Sequence, residues 1–107
     1  MIRKATKRAK SAKIPVIFRK WMFRNSGIIA LFPTLPGTNS PYTCSSYEHI
    51  GQHGSADPQS VIERTKIAKP AEYAPLLREL HQIGYRNLVV KQRYQHSYLE
   101  ERRKALK

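Results

Sequence analysis

Residues 28–32, IIALF, are five consecutive apolar side chains that stop at Pro33, and they limit the fold more than any other feature of the chain. A run this short cannot cross a bilayer as a helix, and the proline cannot continue a helix or a central ladder. With no polar side, the run is expected to be a strand in the middle of a sheet. Upstream, residues 14–23 (IPVIFRKWMF) bring β-branched and aromatic side chains, with Pro15 near the start, where a missing amide is tolerable. Joined through RNSG at 24–27, the two segments read as a hairpin.

Three prolines, a glycine and an asparagine within residues 33–41 (PTLPGTNSP) then end the second strand. Residues 42–50 (YTCSSYEHI) resume extended structure, and Gly51, Gly54 and Asp57–Pro58 break it, so GQHGSAD reads as a polar loop. Residues 59–68 (QSVIERTKIA) fit a short helical turn and a further strand equally well. The clearest element is KPAEYAPLLRELHQIGY. Tyr73, Leu76, Leu77, Leu80 and Ile83 form one apolar stripe, Pro70 suits the first helical position, and Gly84 suits the residue just past the end. Pro75 lies early in this helix and is expected to bend it slightly rather than break it. YRNLVVKQRY at 85–94 reads as a last strand, and the tail beyond it has helical propensity.

The expected fold class is α+β: an antiparallel sheet of about four strands packed on one amphipathic helix, in the order β-β-β-α-β. Residues 1–13 are expected to be a basic flexible arm, 14–93 a single α+β domain, and 94–107 a basic helical tail. At 107 residues there is room for one modest core. The single cysteine, Cys44, excludes an internal disulfide, and no signal-like segment stands out, so a cytoplasmic location is expected.

The formal net charge is +13, and it is unevenly placed. Residues 1–24 carry nine bases and no acid, residues 25–57 carry Glu48 and Asp57 and no base, and residues 58–107 carry eleven bases against five acids. Such a field attracts polyanions. The mildly acidic middle, free of lysine and arginine, nevertheless concentrates chemistry. Cys44, His49 and His53 have the spacing C-x4-H-x3-H, with Asp57 four residues on, and all are zinc-compatible donors. On an alternating strand, however, Cys44 and His49 point to opposite faces, and the glycines keep the histidine pair off a helix. The same residues, with Ser45 and Ser46, could supply a nucleophile and a base. No nucleophile elbow, phosphate-cradling glycine motif or paired carboxylates accompany them. The favoured reading places Cys44 in the core as a small hydrophobe, with Ser45, Tyr47 and His49 on the outer face and Gln52 and His53 as loop contacts.

The expected function is therefore noncatalytic binding of nucleic acid, DNA or RNA, mostly through phosphates. The expected contacts are Arg3, Lys4, Lys7, Arg8, Lys10 and Lys13 of the arm, Arg19 and Lys20 of the first strand, Lys91 and Arg93 of the last, and Arg102 and Arg103 of the tail. Tyr47 and Tyr94 are candidate stacking platforms. One alternative is a protein interface, either a homodimer or an acidic partner. Another is a small hydrolase or metal-binding protein built on Cys44, His49 and His53. No cofactor is expected.

Overall fold

The computed structural model describes residues 13–22, 27–49 and 52–107. Among them, one six-stranded sheet is flanked by three helices. The order along the chain is β1 (Ile14–Trp21), β2 (Ile28–Pro36), β3 (Cys44–Glu48), β4 (Gln52–Ala56), α1 (Pro58–Arg64), β5 (Thr65–Ile67), α2 (Pro70–Gln82), β6 (Leu88–Lys91) and α3 (Ser97–Ala105). This corrects the expectation of four strands on a single helix. Segment 59–68 provides both most of α1 and all of β5, and the segment read as a polar loop forms β4 by pairing antiparallel along β3 from Glu48–Gln52 to Cys44–Ala56. Backbone pairing, not side-chain propensity, makes β4 a strand, because QHGSA contains one small apolar side chain and no β-branched residue.

The strands lie in the order β4-β3-β2-β1, and the outer side of β1 is shared by two short strands placed end to end. β6 runs parallel to β1, pairing Ile14 with Leu88 through Ile17 with Lys91. β5 runs antiparallel to it, pairing Arg19 with Ile67 and Trp21 with Thr65. The sheet is therefore mixed rather than purely antiparallel.

Both faces of the sheet are covered, which is why residues 28–32 show no polar alternation. On one face Val16, Phe18, Ala30, Phe32 and Tyr47 pack beneath Leu76 and Leu80 of α2. On the other Ile17, Ile29, Leu31 and Cys44 pack with Val61 of α1 and Tyr98 of α3. The tail helix is thus part of the core rather than an appendage. β5 and β6 mark the places where the chain crosses the sheet edge between the two helical layers.

Between Phe32 and Pro36 the β2–β3 register shifts, so Pro33 leaves the ladder. Its carbonyl accepts from Arg102 Nη1 at 2.7 Å, while Arg102 Nε donates to the Pro41 carbonyl at 2.6 Å. One buried guanidinium from α3 therefore ties the irregular part of β2 to the β2–β3 connection. Gly37, in the same connection, has no room for a side chain: a Cβ there would lie 2.5 Å from the Cys44 carbonyl oxygen and 2.5 Å from Ser55 Cβ.

α2 begins and ends as its sequence demands. Glu72 accepts from the Lys69 backbone N–H at 2.8 Å, satisfying an orphan donor of the first turn, and the helix runs through Pro75. At its other end Gly84 has φ +121°, with Gly84 N–H donating to the His81 carbonyl (3.2 Å) and Tyr85 N–H to the Leu80 carbonyl (3.0 Å). This pair of bonds is a Schellman closure. It folds Tyr85 back onto the core, where its ring stacks on Phe32 with centroids 4.9 Å apart.

Candidate nucleic-acid interface

The uneven charge of the sequence becomes a spatial division of the sheet. Residues 25–57, which contain no lysine or arginine, form β2, β3 and β4. The opposite edge, around β5 and β6, carries Arg64, Lys66 and Lys69, then Arg86, Lys91 and Arg93, all exposed. Neither 64–69 nor 86–93 contains an acid. Lys13 joins this edge, since the next residue, Ile14, pairs with Leu88 and its amide donates to the Asn87 carbonyl at 2.8 Å.

The basic residues of β1 are engaged internally. Arg19 Nε donates to Thr65 Oγ1 at 2.9 Å, and its Nη2 donates to the carbonyls of Ile62 (3.1 Å) and Thr65 (2.8 Å), tying β1 to the end of α1. Burial lowers the pKa of this guanidinium, since desolvation disfavours its charged form. Lys20 Nζ lies 2.7 Å from Glu72 Oε2. That ion pair places a carboxylate beside Lys20 where β1 sets it opposite Lys66, two like charges that would otherwise repel. The hydrogen bond from Lys20, followed by that from the Lys69 amide, holds the Glu72 carboxyl below its ordinary range.

The remaining expected contacts divide in the same way. Arg3, Lys4, Lys7, Arg8 and Lys10 lie outside the described residues. Lys91 and Arg93 are exposed on the basic edge. Arg103 is also exposed, with Nη2 donating to the Tyr42 hydroxyl at 3.3 Å and the guanidinium 6.0 Å from that ring. Arg102 is only 2 % exposed and gives its hydrogen bonds to two carbonyls, so it has a structural post inside the fold. Tyr94 is half-buried edge-on against Tyr98. Tyr47 is 1 % exposed beneath α2, so the face expected to be outer is an inner one, and this ring cannot serve as a surface platform. Four contributors were not among the expected contacts: Arg64, Lys66, Lys69 and Arg86. For the first three the signal was the interleaving of bases with short apolar steps in RTKIAK.

The half whose strands carry no lysine or arginine holds a different arrangement. Glu79, from α2, accepts from the Tyr47 hydroxyl through Oε2, and its Oε1 lies 2.6 Å from Nδ1 of His49. A carboxylate only accepts, so Nδ1 carries the proton and Nε2 faces outward on a side chain that is 74 % exposed. His53, opposite Tyr47 on β4, meets the Tyr47 ring edge-on at 4.6 Å, and its Nε2 lies 3.4 Å from the Tyr85 hydroxyl. Tyr47, His53, Ile83, Gly84 and Tyr85 line an open cleft of about 400 Å³.

Cys44 and His49 do not converge. Cys44 is fully buried on the α1/α3 face, and burial pushes its thiol up to about 11, with the Asp57 charge adding to the rise and Arg102 opposing it. A thiol so placed is a poor nucleophile near neutrality. Asp57 instead caps α1, its Oδ1 accepting from the Gln59 amide at 3.1 Å. Among the described residues, no three His, Cys, Asp or Glu side chains gather in a metal-binding group, and no helix is long and apolar enough to cross a membrane.

Comparison with protein families, with curated proteins and with solved structures gave no match.

Proposed function

We propose that the protein binds nucleic acid noncatalytically, with phosphates lying along the β5–β6 edge. The observation that carries this reading is the separation of charge across the sheet. The bases of β1 are consumed by internal partners, whereas Arg64, Lys66, Lys69, Arg86, Lys91 and Arg93 are exposed along one edge with no acid in their segments. A row of exposed cations bordering a sheet suits a polyanion of repeating charge better than a single anionic ligand. Lys13 continues the row toward the basic residues that precede it in sequence, which would extend the contact along the same strand of nucleic acid.

The test is a fluorescence-polarisation titration of labelled single- and double-stranded DNA and RNA, at low and near-physiological salt, with the full chain and with a version lacking residues 1–12. Binding that weakens steeply with salt, and further without those residues, is the expected result. No binding to any of the four at low salt would refute the proposal. An acidic protein partner for the same edge would then become the leading alternative.

A further inference from the structure

We propose that the cleft between His53 and Tyr85 receives a single unpaired nucleobase from the strand whose phosphates occupy the basic edge, an inference that rests on the phosphate reading above. Three observations converge on this occupant.

The first is the lining. Two tyrosines, an imidazole and the half-exposed Ile83 surround about 400 Å³, a size within the usual range for small-ligand sites. Among the described residues no lysine or arginine lines the cleft, and the Glu79 carboxylate is coupled to it through the Tyr47 hydroxyl. An anion such as phosphate is thereby disfavoured, and a neutral planar ring with polar edges is favoured.

The second is rigidity. Tyr85 is fixed by the helix closure at Gly84 and by its stack on Phe32 (interplanar angle 10°), while His53 is fixed against Tyr47. A ligand entering such a site orders little protein, so the contact retains most of its free energy. The polar atoms at the mouth, His53 Nε2 and Tyr85 Oη, share only a long 3.4 Å contact. Both can exchange it for the donor and acceptor edge of a base.

The third is connection. Arg86 follows Tyr85 directly, Asn87 accepts the hydrogen bond of the Ile14 amide, and β6 begins at Leu88. The chain that forms one wall of the cleft therefore continues into the basic edge within three residues. A strand held there by its phosphates has a base within reach of Tyr85, and only an unpaired base can leave its stack to enter.

The experiment compares a short labelled oligothymidylate with an abasic strand of the same length, which keeps every phosphate and removes every base. Both are titrated against the wild-type chain, His53→Ala and Tyr85→Leu. The expected result is a preference of about tenfold for the base-bearing strand in the wild type, lost in both variants, with affinity for the abasic strand unchanged. His53 is exposed, so its replacement tests the cleft even if Tyr85→Leu loosens the core. Equal binding of the two strands by the wild type would overturn the cleft while leaving the phosphate reading intact. A preference that persists in both variants would place the base elsewhere and equally overturn it. Failure of both strands to bind would refute the phosphate reading, and this proposal with it.

Discussion

The two edges of the sheet are built from opposite materials. The β4 edge belongs to 33 residues with no lysine or arginine, and its side chains are small, polar or aromatic. The β5–β6 edge is two short strands of three and four residues, bordered by six exposed bases. Short, charged edges resist unwanted strand pairing, so the bases of β5 and β6 also serve the fold. What the difference teaches is that a basic chain need not present its charge everywhere. Under the proposal made above, one edge holds a polyanion by number of charges, and the cleft at the other distinguishes what the polyanion carries. This is the division between contacts that position and contacts that specify.

Arg102 is the exception that tests the division, a base inserted into the half whose strands carry none. Arg102→Ala is expected to cost about 3 kcal/mol in urea unfolding, because the Pro33 and Pro41 carbonyls lose their donor inside the protein. Lysine should rescue little, since one ammonium cannot reproduce the forked geometry. By contrast, replacing Lys66, Lys91 and Arg93 together by glutamine should change stability by no more than about 0.5 kcal/mol each. Comparable losses from the two sets would erase the distinction between structural and surface bases.

Next in size is Gly37→Ala, which must push apart the Cys44 backbone and Ser55 where the β2–β3 connection meets β4. A loss of about 1–3 kcal/mol is expected from overpacking, with β4 amides exchanging faster than those of β5 in hydrogen exchange. Gly84→Ala should cost about 1 kcal/mol, because φ +121° is strained for any residue with a Cβ. It should also loosen Tyr85, so the change would be read in the His53–Tyr85 cleft and not at Lys66.

A smaller effect comes with pH. Burial raises the Cys44 pKa from an ordinary 9.0 to about 11, so the folded state favours the neutral thiol. Its contribution is fully present below the unfolded value and is lost as pH rises through the interval from 9 toward 11. Denaturation midpoints measured across that interval should fall more steeply for the wild type than for Cys44→Ala. Identical slopes would show that the thiol is not desolvated as the geometry implies.

How much of this was legible in the sequence depends on how far each residue's partners lie along the chain. α2 was legible because its stripe, its Pro70 start and its Gly84 stop all fall within one short segment. The central strand was legible as buried, yet its unbroken apolar run also signalled a second covering layer. That layer escaped notice because α1 and α3 are mostly polar and turn only Val61, Tyr98 and Arg102 inward as buried side chains beside the buried Pro58. Arg19 and Arg102 looked like surface cations, and their acceptors are 43 to 69 residues away in sequence. Nothing local to Glu79 announces that His49 and the Tyr47 hydroxyl meet it across 30 and 32 residues. The span from 25 to 57 without lysine or arginine was visible from the start. Its meaning depended on strand order, which composition does not contain.

The measurement that tests the division most directly is the salt dependence of single-stranded DNA binding by the wild type and by the combined variant Lys66→Gln, Lys91→Gln, Arg93→Gln. If those three side chains neutralise phosphates, the slope of log affinity against log salt should shrink by about 2, at roughly 0.7 per contact. An unchanged slope, with binding equally strong, would mean that the polyanion does not lie on the β5–β6 edge.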